Sequence, residues 1–185
     1  GIECAFTEYV QTASGRPTSQ TQTVHSAGAG VIYSIDKTVG DAYIVTNFHV
    51  VYNADSTGHE TVSHVSDDII VYLYGSSESI PATYVGGSIN YDIAVLRVED
   101  SKAFKASGAS AAKVADSDSI SVGESVYAIG NPEGDGISVT SGVVSVDAEY
   151  INITAADDST TLSLLEIRTD AAINHGNSGG GLFNA

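Results

Sequence analysis

The 185-residue sequence contains a single cysteine, Cys4, so no disulfide can form within the chain and packing has to hold its fold. Redox compartment stays open on this count. Basic residues are scarce: seven Lys and Arg stand against 23 Asp and Glu, a formal net charge of −16. That balance speaks against nucleic acid and anionic membrane surfaces as partners, and solubility is the plain reading of the acidity. No apolar run is long enough to span a bilayer, and the first residues carry no basic stretch followed by an apolar signal core. Any export signal or anchor is therefore expected to have been removed. Internal repeats are absent. Long helical periodicity is also missing, which disfavours helical architectures.

What is present is a β pattern. The chain is 42% hydrophobic and long enough to bury a real core, as one domain or two small packed barrels. Runs rich in Val, Ile and Tyr predict strands over 29–35, 42–46, 68–74, 82–85 and 92–98, one barrel's worth. A polar, alanine-rich passage over 102–119 reads as an interdomain connection. The pattern resumes over 125–129, 137–146, 150–154 and 162–169. Gly, Asn, Asp and Ser clusters between the runs favour an all-β architecture. The first twenty or so residues, with Gln11 to Ser19, read as a flexible arm. The expected organisation is an arm over 1–23, a first barrel over 24–101, the connection over 102–119 and a second barrel over 120–185.

The segment Asn174-His175-Gly176-Asn177-Ser178-Gly179-Gly180 sets a serine among glycines, where the backbone can bend sharply and direct amide hydrogens to one point beside a hydroxyl. Two serine hydrolase designs use such a stretch. Gly176-Asn177-Ser178-Gly179-Gly180 fits the nucleophile elbow of α/β-hydrolases, whose acid and histidine follow the serine. Seven residues follow Ser178 in this chain, none of them Asp, Glu or His, and alternating strands and helices are missing upstream. The other order is His, Asp, Ser. His49 follows the apolar run Ala42 to Val45, and Asp92 opens the apolar run Ile93-Ala94-Val95-Leu96.

Each type has a separate task. A serine hydroxyl is a poor nucleophile while it keeps its proton; an imidazole takes that proton and returns it to the leaving amine. A carboxylate fixes the imidazole tautomer and stabilises the imidazolium, while the amides of Gly176 and Ser178 receive the developing oxyanion. Taken singly, each residue has a duller reading. Asp92 alone is a turn or cap, His49 alone a structural histidine, and Ser178 alone part of a loop. Their joint order carries the assignment, with His49, Asp92 and Ser178 as candidate catalytic residues.

The segments Thr46-Asn47-Phe48-His49-Val50-Val51, Tyr91-Asp92-Ile93-Ala94-Val95-Leu96, Ala128-Ile129-Gly130-Asn131-Pro132-Glu133-Gly134 and Thr169 to Gly180 resemble the HtrA (Deg) family of serine proteases over most of residues 24–185. The resemblance implies a trypsin-like double β-barrel endopeptidase acting on exposed or misfolded polypeptide, in protein quality control outside the cytoplasm. It also implies a homo-oligomer, a trimer, to which N-terminal arms contribute, and a PDZ domain following the protease. Further strands are expected after the serine, one of them lining the substrate cleft, so the second barrel reads as incomplete. His175 stands where the family has proline. Ala172, six residues before Ser178, occupies the base of the primary pocket by the same resemblance. Lacking a carboxylate there, the pocket favours a small or medium aliphatic residue over Lys or Arg. Asn177 stands where trypsin-like zymogens carry an aspartate, so activation by a new N-terminal amine is not expected; ordering of the loop over 170–177 is the expected control. The competing function class is a catalytically silent, protease-shaped binding module.

Other candidate groups carry less. His59 and His64 are five residues apart, one more than a zinc helix requires, and read as a solvated loop. His25 reads as structural. Asp67-Asp68 and Asp157-Asp158 lack a calcium-loop pattern and read as turns. The glycine-rich run over 130–136 lacks the Lys and Ser or Thr of a phosphate loop and reads as a β-turn near the cleft. No metal site is assigned and no cofactor is required for the chemistry.

Overall fold

The computed structural model describes residues 1–131 and 136–184. Its first half is an eight-stranded antiparallel sheet built from β1 (Ile2–Gln11), β2 (Pro17–Gly28), β3 (Val31–Asp36), β4 (Asp41–Thr46), β5 (Ser56–Thr57), β6 (Asp68–Val71), β7 (Ile80–Ser88) and β8 (Ile93–Val98). The order is β2-β1-β6-β7-β8-β4-β3, with β5 added to β1. The second half is a four-stranded sheet of β9 (Ser125–Gly130), β10 (Ser138–Thr154), β11 (Thr161–Thr169) and β12 (Gly181–Asn184), in the order β11-β10-β9-β12. The second sheet is only half-curled. A groove of about 1050 Å³ opens between its face, with Ile120, Leu165 and Ile167, and Tyr91 and Ile93 of the first half.

Alternation along β4 and β8 explains the core. Ala42, Ile44 and Thr46 point inward from β4, opposite Val98, Leu96 and Ala94 of β8, and all six are buried. Branched side chains favour this pleated packing. Phe48, Val50 and Val51 of the short helix α1 (Phe48–Val51) close the same core. Phe104 also enters it, from the helix α2 (Lys102–Ala106), which Ser101 caps by accepting from the Phe104 amide at 3.3 Å. The passage expected as a bare connection thus contributes a core residue, placed by a capped helical turn.

The N-terminal arm is a correction. Residues 2–11 and 17–28 form a paired hairpin, in register from Ile2 opposite Gly28 to Tyr9 opposite Thr21, and β1 pairs on its other edge with β6. Ile2, Cys4 and Phe6 are buried at alternate positions. The polar stretch read as flexible is the hairpin turn: the Gly15 amide donates to the Thr12 carbonyl at 2.8 Å, with Gly15 at φ +77°. The runs over 137–146 and 150–154 are likewise one strand, β10, whose pairing with β11 shifts register between Val144 and Glu149. Those bulges interrupt the two-residue period that a sequence pattern relies on.

Of the acidic pairs read as turns, Asp157-Asp158 lies in one, whereas Asp68 opens strand β6 opposite Ala5 and only Asp67 precedes it in a bend. Asp157 closes the β10–β11 connection, and the Thr160 hydroxyl, with the amides of Thr160 and Ser159, lowers its pKa to about 2. The run over 130–136 falls largely on 132–135, outside the described residues. His59 and His64 do not lie on a solvated loop. The His59 side chain is 9% exposed, its Nε2 is 2.7 Å from the buried Ser56 hydroxyl, and His64 Nδ1 donates to the Ser56 carbonyl at 3.0 Å. Both rings pin the chain after α1, a packing role that no spacing rule signals. His25 stands 3.4 Å from Glu3 across the β1–β2 hairpin.

Two measurements check this core. Phe104→Ala should cost ~3–5 kcal/mol in urea unfolding, against less than about half of that for Phe104→Leu. Burial, with the negative charges of Asp68 and Glu3, pushes the Cys4 thiol up to about 12. Cys4 should therefore resist alkylation in the native protein at neutral pH and react at the ordinary thiol rate once denatured.

Candidate active site

Strand register brings the first two candidates together. Thr46, the last residue of β4, lies opposite Ala94 of β8. The chain leaving β4 through Asn47 and the chain entering β8 through Asp92 therefore run side by side. Asp92 follows a 3-10 turn over Ile89–Tyr91 and adopts φ 49°, a left-handed conformation that aspartate tolerates better than most residues. This geometry directs its carboxylate at α1. Oδ2 lies 2.7 Å from His49 Nδ1, and Oδ1 accepts the His49 amide at 2.9 Å. With Nδ1 facing a carboxylate, the proton is held on Nδ1 and Nε2 is left as the base. The Asp92 side chain is 17% exposed and the His49 side chain 45%, so the acid is sheltered while the imidazole reaches solvent.

Ser178 arrives from the second half, between β11 and β12. Its loop consists of two overlapping turns. The Asn177 amide donates to the Asn174 carbonyl at 3.1 Å, and the Gly180 amide to the Asn177 carbonyl at 2.8 Å. The third residue of each turn is a glycine at positive φ, Gly176 at 89° and Gly179 at 80°. That is the type II pattern, which excludes most side chains there. A Cβ on Gly179 would also collide with the Thr46 hydroxyl and the Ala29 carbonyl. The loop is thus pressed onto the first half. The Ala29 amide donates to the Ser178 carbonyl at 2.8 Å, and the Gly179 amide donates to Asn47 Oδ1 at 2.5 Å.

The structure joins His49 to Asp92 directly and anchors the Ser178 backbone beside them. It shows no hydrogen bond from the Ser178 hydroxyl to His49 among the described residues. The amides of Gly176 and Ser178 meet no protein acceptor among the described residues. Ser178 lines an open recess together with Ile173, Asn174 and His175. Ala172 is exposed, its carbonyl accepting from the Thr140 hydroxyl at 2.8 Å, and it does not line this recess. Ile173 lines both the recess and the larger groove. Sequence reasoning passed over Ile173 and over Asn47, whose side chain touches both Asp92 and the serine loop. Asn47 was visible inside the His49 motif, but nothing in a linear motif says which residue reaches across. Among the described residues no group of three or more His, Cys, Asp or Glu side chains is placed to hold a metal.

The described residues contain no helix long and apolar enough to cross a membrane. The family model of the trypsin-like peptidase domain matches residues 28–185. The serine protease Do-like HtrA of Lactococcus lactis subsp. cremoris is 35% identical over 161 residues, 86% of this chain and 34% of that protein. The periplasmic serine endoprotease DegP of Escherichia coli is 37% identical over 177 residues, 92% of this chain and 30% of the relative. The chain thus spans about a third of the length of these curated relatives. The solved structure of the HtrA-type protease AlgW with a decapeptide superposes with a TM-score of 0.62 at 28% identity, covering 99% of this chain and 51% of the other. Family model, relatives and architecture agree: the chain belongs to the trypsin-like peptidase family, as a protease domain of the HtrA (Deg) type.

Proposed function

We propose that this chain is a serine endopeptidase cutting exposed or misfolded polypeptide, with Ser178 as nucleophile, His49 as general base and acid, and Asp92 as the residue that orients and stabilises the imidazole. The contact of 2.7 Å between His49 and Asp92, beside the anchored serine loop, carries this reading. Ser178 Oγ attacks the scissile carbonyl carbon as its proton passes to His49 Nε2. The carbonyl π electrons move onto oxygen, which the amides of Gly176 and Ser178 receive. Collapse of that intermediate breaks the C–N bond, and His49 returns the proton to the departing amine. Water repeats the sequence on the acyl-enzyme and frees the acid. The hydroxyl–imidazole bond closes when substrate orders the loop, since catalytic contacts are often loose before substrate binds.

In this proposal the first half, with strands β1 to β8, and the second half, with strands β9 to β12, form the two sides of the substrate cleft. Polypeptide is the substrate class, and the recess beside Ser178, with Ile173 and no carboxylate in its lining, serves as the primary pocket and accepts small or medium aliphatic side chains. The relatives' periplasmic and Do-like names support an extracytoplasmic location and quality control as the setting. Assembly as a homo-oligomer, a trimer by family likeness, and a PDZ domain elsewhere in the protein belong to the same proposal.

Casein cleavage should fall below detection in Ser178→Ala. His49→Ala should lose ~10²–10⁴-fold in kcat/KM, and the double variant should be no worse than the worse single, because the residues act as a unit. Serine-independent cleavage, or none by the natural protein, would leave the silent binding module instead. In cleavage profiling of an unfolded protein library, cuts should follow aliphatic residues; dominant cutting after Lys or Arg would overturn the pocket assignment.

A further inference from the structure

Asparagine is among the best helix N-caps because its side-chain oxygen accepts from a first-turn amide. Asn47 occupies the N-cap of α1, yet its side chain makes no such bond. Asp92 takes over that role through its bond from the His49 amide. The Asn47 carboxamide is used elsewhere: Nδ2 donates to the Asp92 carbonyl at 2.8 Å, and Oδ1 accepts the Gly179 amide at 2.5 Å. Only one orientation of the amide satisfies both partners, since a carbonyl cannot donate and an N–H cannot accept.

We propose that Asn47 is a positioning residue for the peptidase reaction, a single carboxamide that spans from the backbone of the acid to the peptide following the nucleophile and sets the placement of Ser178 relative to His49. The proposal rests on the triad assigned above. Two hydrogen bonds from the first half hold the serine residue, Ala29 to its carbonyl and Asn47 to the next amide. With one tether removed, the peptide can pivot about the other. A shift of about 1 Å in a reacting atom is enough to cost ~10² in rate. Asn47 lines none of the recesses beside the triad, so its loss falls on the chemical step and not on binding.

Two substitutions separate the halves of the bridge. Asn47→Ala removes both bonds, whereas the nearly isosteric Asn47→Asp keeps an acceptor for Gly179 and loses the donor to Asp92. In the full-length protein, kcat for a peptide substrate should drop ~10²-fold in Asn47→Ala with KM within about twofold, and by a smaller but measurable factor, about five- to tenfold, in Asn47→Asp. Hydrogen exchange at the Gly179 amide should accelerate by at least about tenfold in Asn47→Ala and stay near the natural rate in Asn47→Asp. A folded Asn47→Ala, judged by near-UV circular dichroism, with kcat within about threefold of the natural protein would overturn the proposal. So would a loss carried in KM, or unchanged Gly179 exchange. Should Asn47→Ala not fold, Asn47→Asp decides alone: retained Gly179 protection with a lowered kcat supports the bridge, and an unchanged kcat overturns it. If the natural protein shows no Ser178-dependent cleavage while its Gly179 amide is protected, the peptidase reading has failed and takes the positioning role with it; an unprotected amide in an active enzyme sinks the bridge alone.

Discussion

Antiparallel pairing of β4 with β8 is the constraint from which the rest of the site follows. Because Thr46 faces Ala94, the residues just beyond each strand end are neighbours, and Asn47 and Asp92 are brought side by side before any side chain is considered. A slip by one residue would turn Ala42, Ile44 and Thr46 outward and expose the apolar face of the sheet, so burial enforces the register. The same register sets the reach of the Asp92 carboxylate to His49. Catalytic geometry in the first half is thus a by-product of core packing, and the short helix α1 serves both, burying Phe48, Val50 and Val51 while it presents His49.

The serine loop depends on a different kind of constraint, one of exclusion. Gly179 is required twice, by its backbone angle and by the Thr46 hydroxyl and Ala29 carbonyl that occupy the space a side chain would need. Gly130 is held close in the same way, against the Asn177 side chain. Close approach of backbone to backbone lets amides serve as tethers across the two halves, which long side chains would do with less precision and a greater entropic cost. The division of labour at α1 fits this economy: Asp92 caps the helix and orients the imidazole, which leaves Asn47 for the crossing.

Without a disulfide, these tethers rely on a continuous apolar core under the first sheet, extended by Phe104 from the connection and by the N-terminal hairpin. The hairpin supplies Ile2, Cys4 and Phe6, so the residues nearest the start of the chain share one core with the helix α1 that presents His49 and the strand β8 that Asp92 precedes. The high negative charge sits mainly on turns and exposed faces. Asp157 and Asp67 take local hydroxyl and amide hydrogen bonds there.

Motif order in the chain determined the family, the all-β class and the three residues that the proposed chemistry uses, because a nucleophile, a base and an acid each need a particular functional group and are recognisable one at a time. Strands with an unbroken two-residue period, such as β4 and β8, were legible for a similar reason: the pattern is local. Pairing was not. The N-terminal hairpin read as an arm because its polar turn dominated the composition, and β10 read as two strands because bulges broke its period. Only the tertiary structure decided that His59 and His64 turn inward to Ser56, that Ile173 and not Ala172 lines the recess beside Ser178, and that Asn47 reaches Gly179 across 132 residues of sequence. The sequence carries which groups are available; which of them meet depends on strand register and close backbone approach, and those are settled only when distant segments pack.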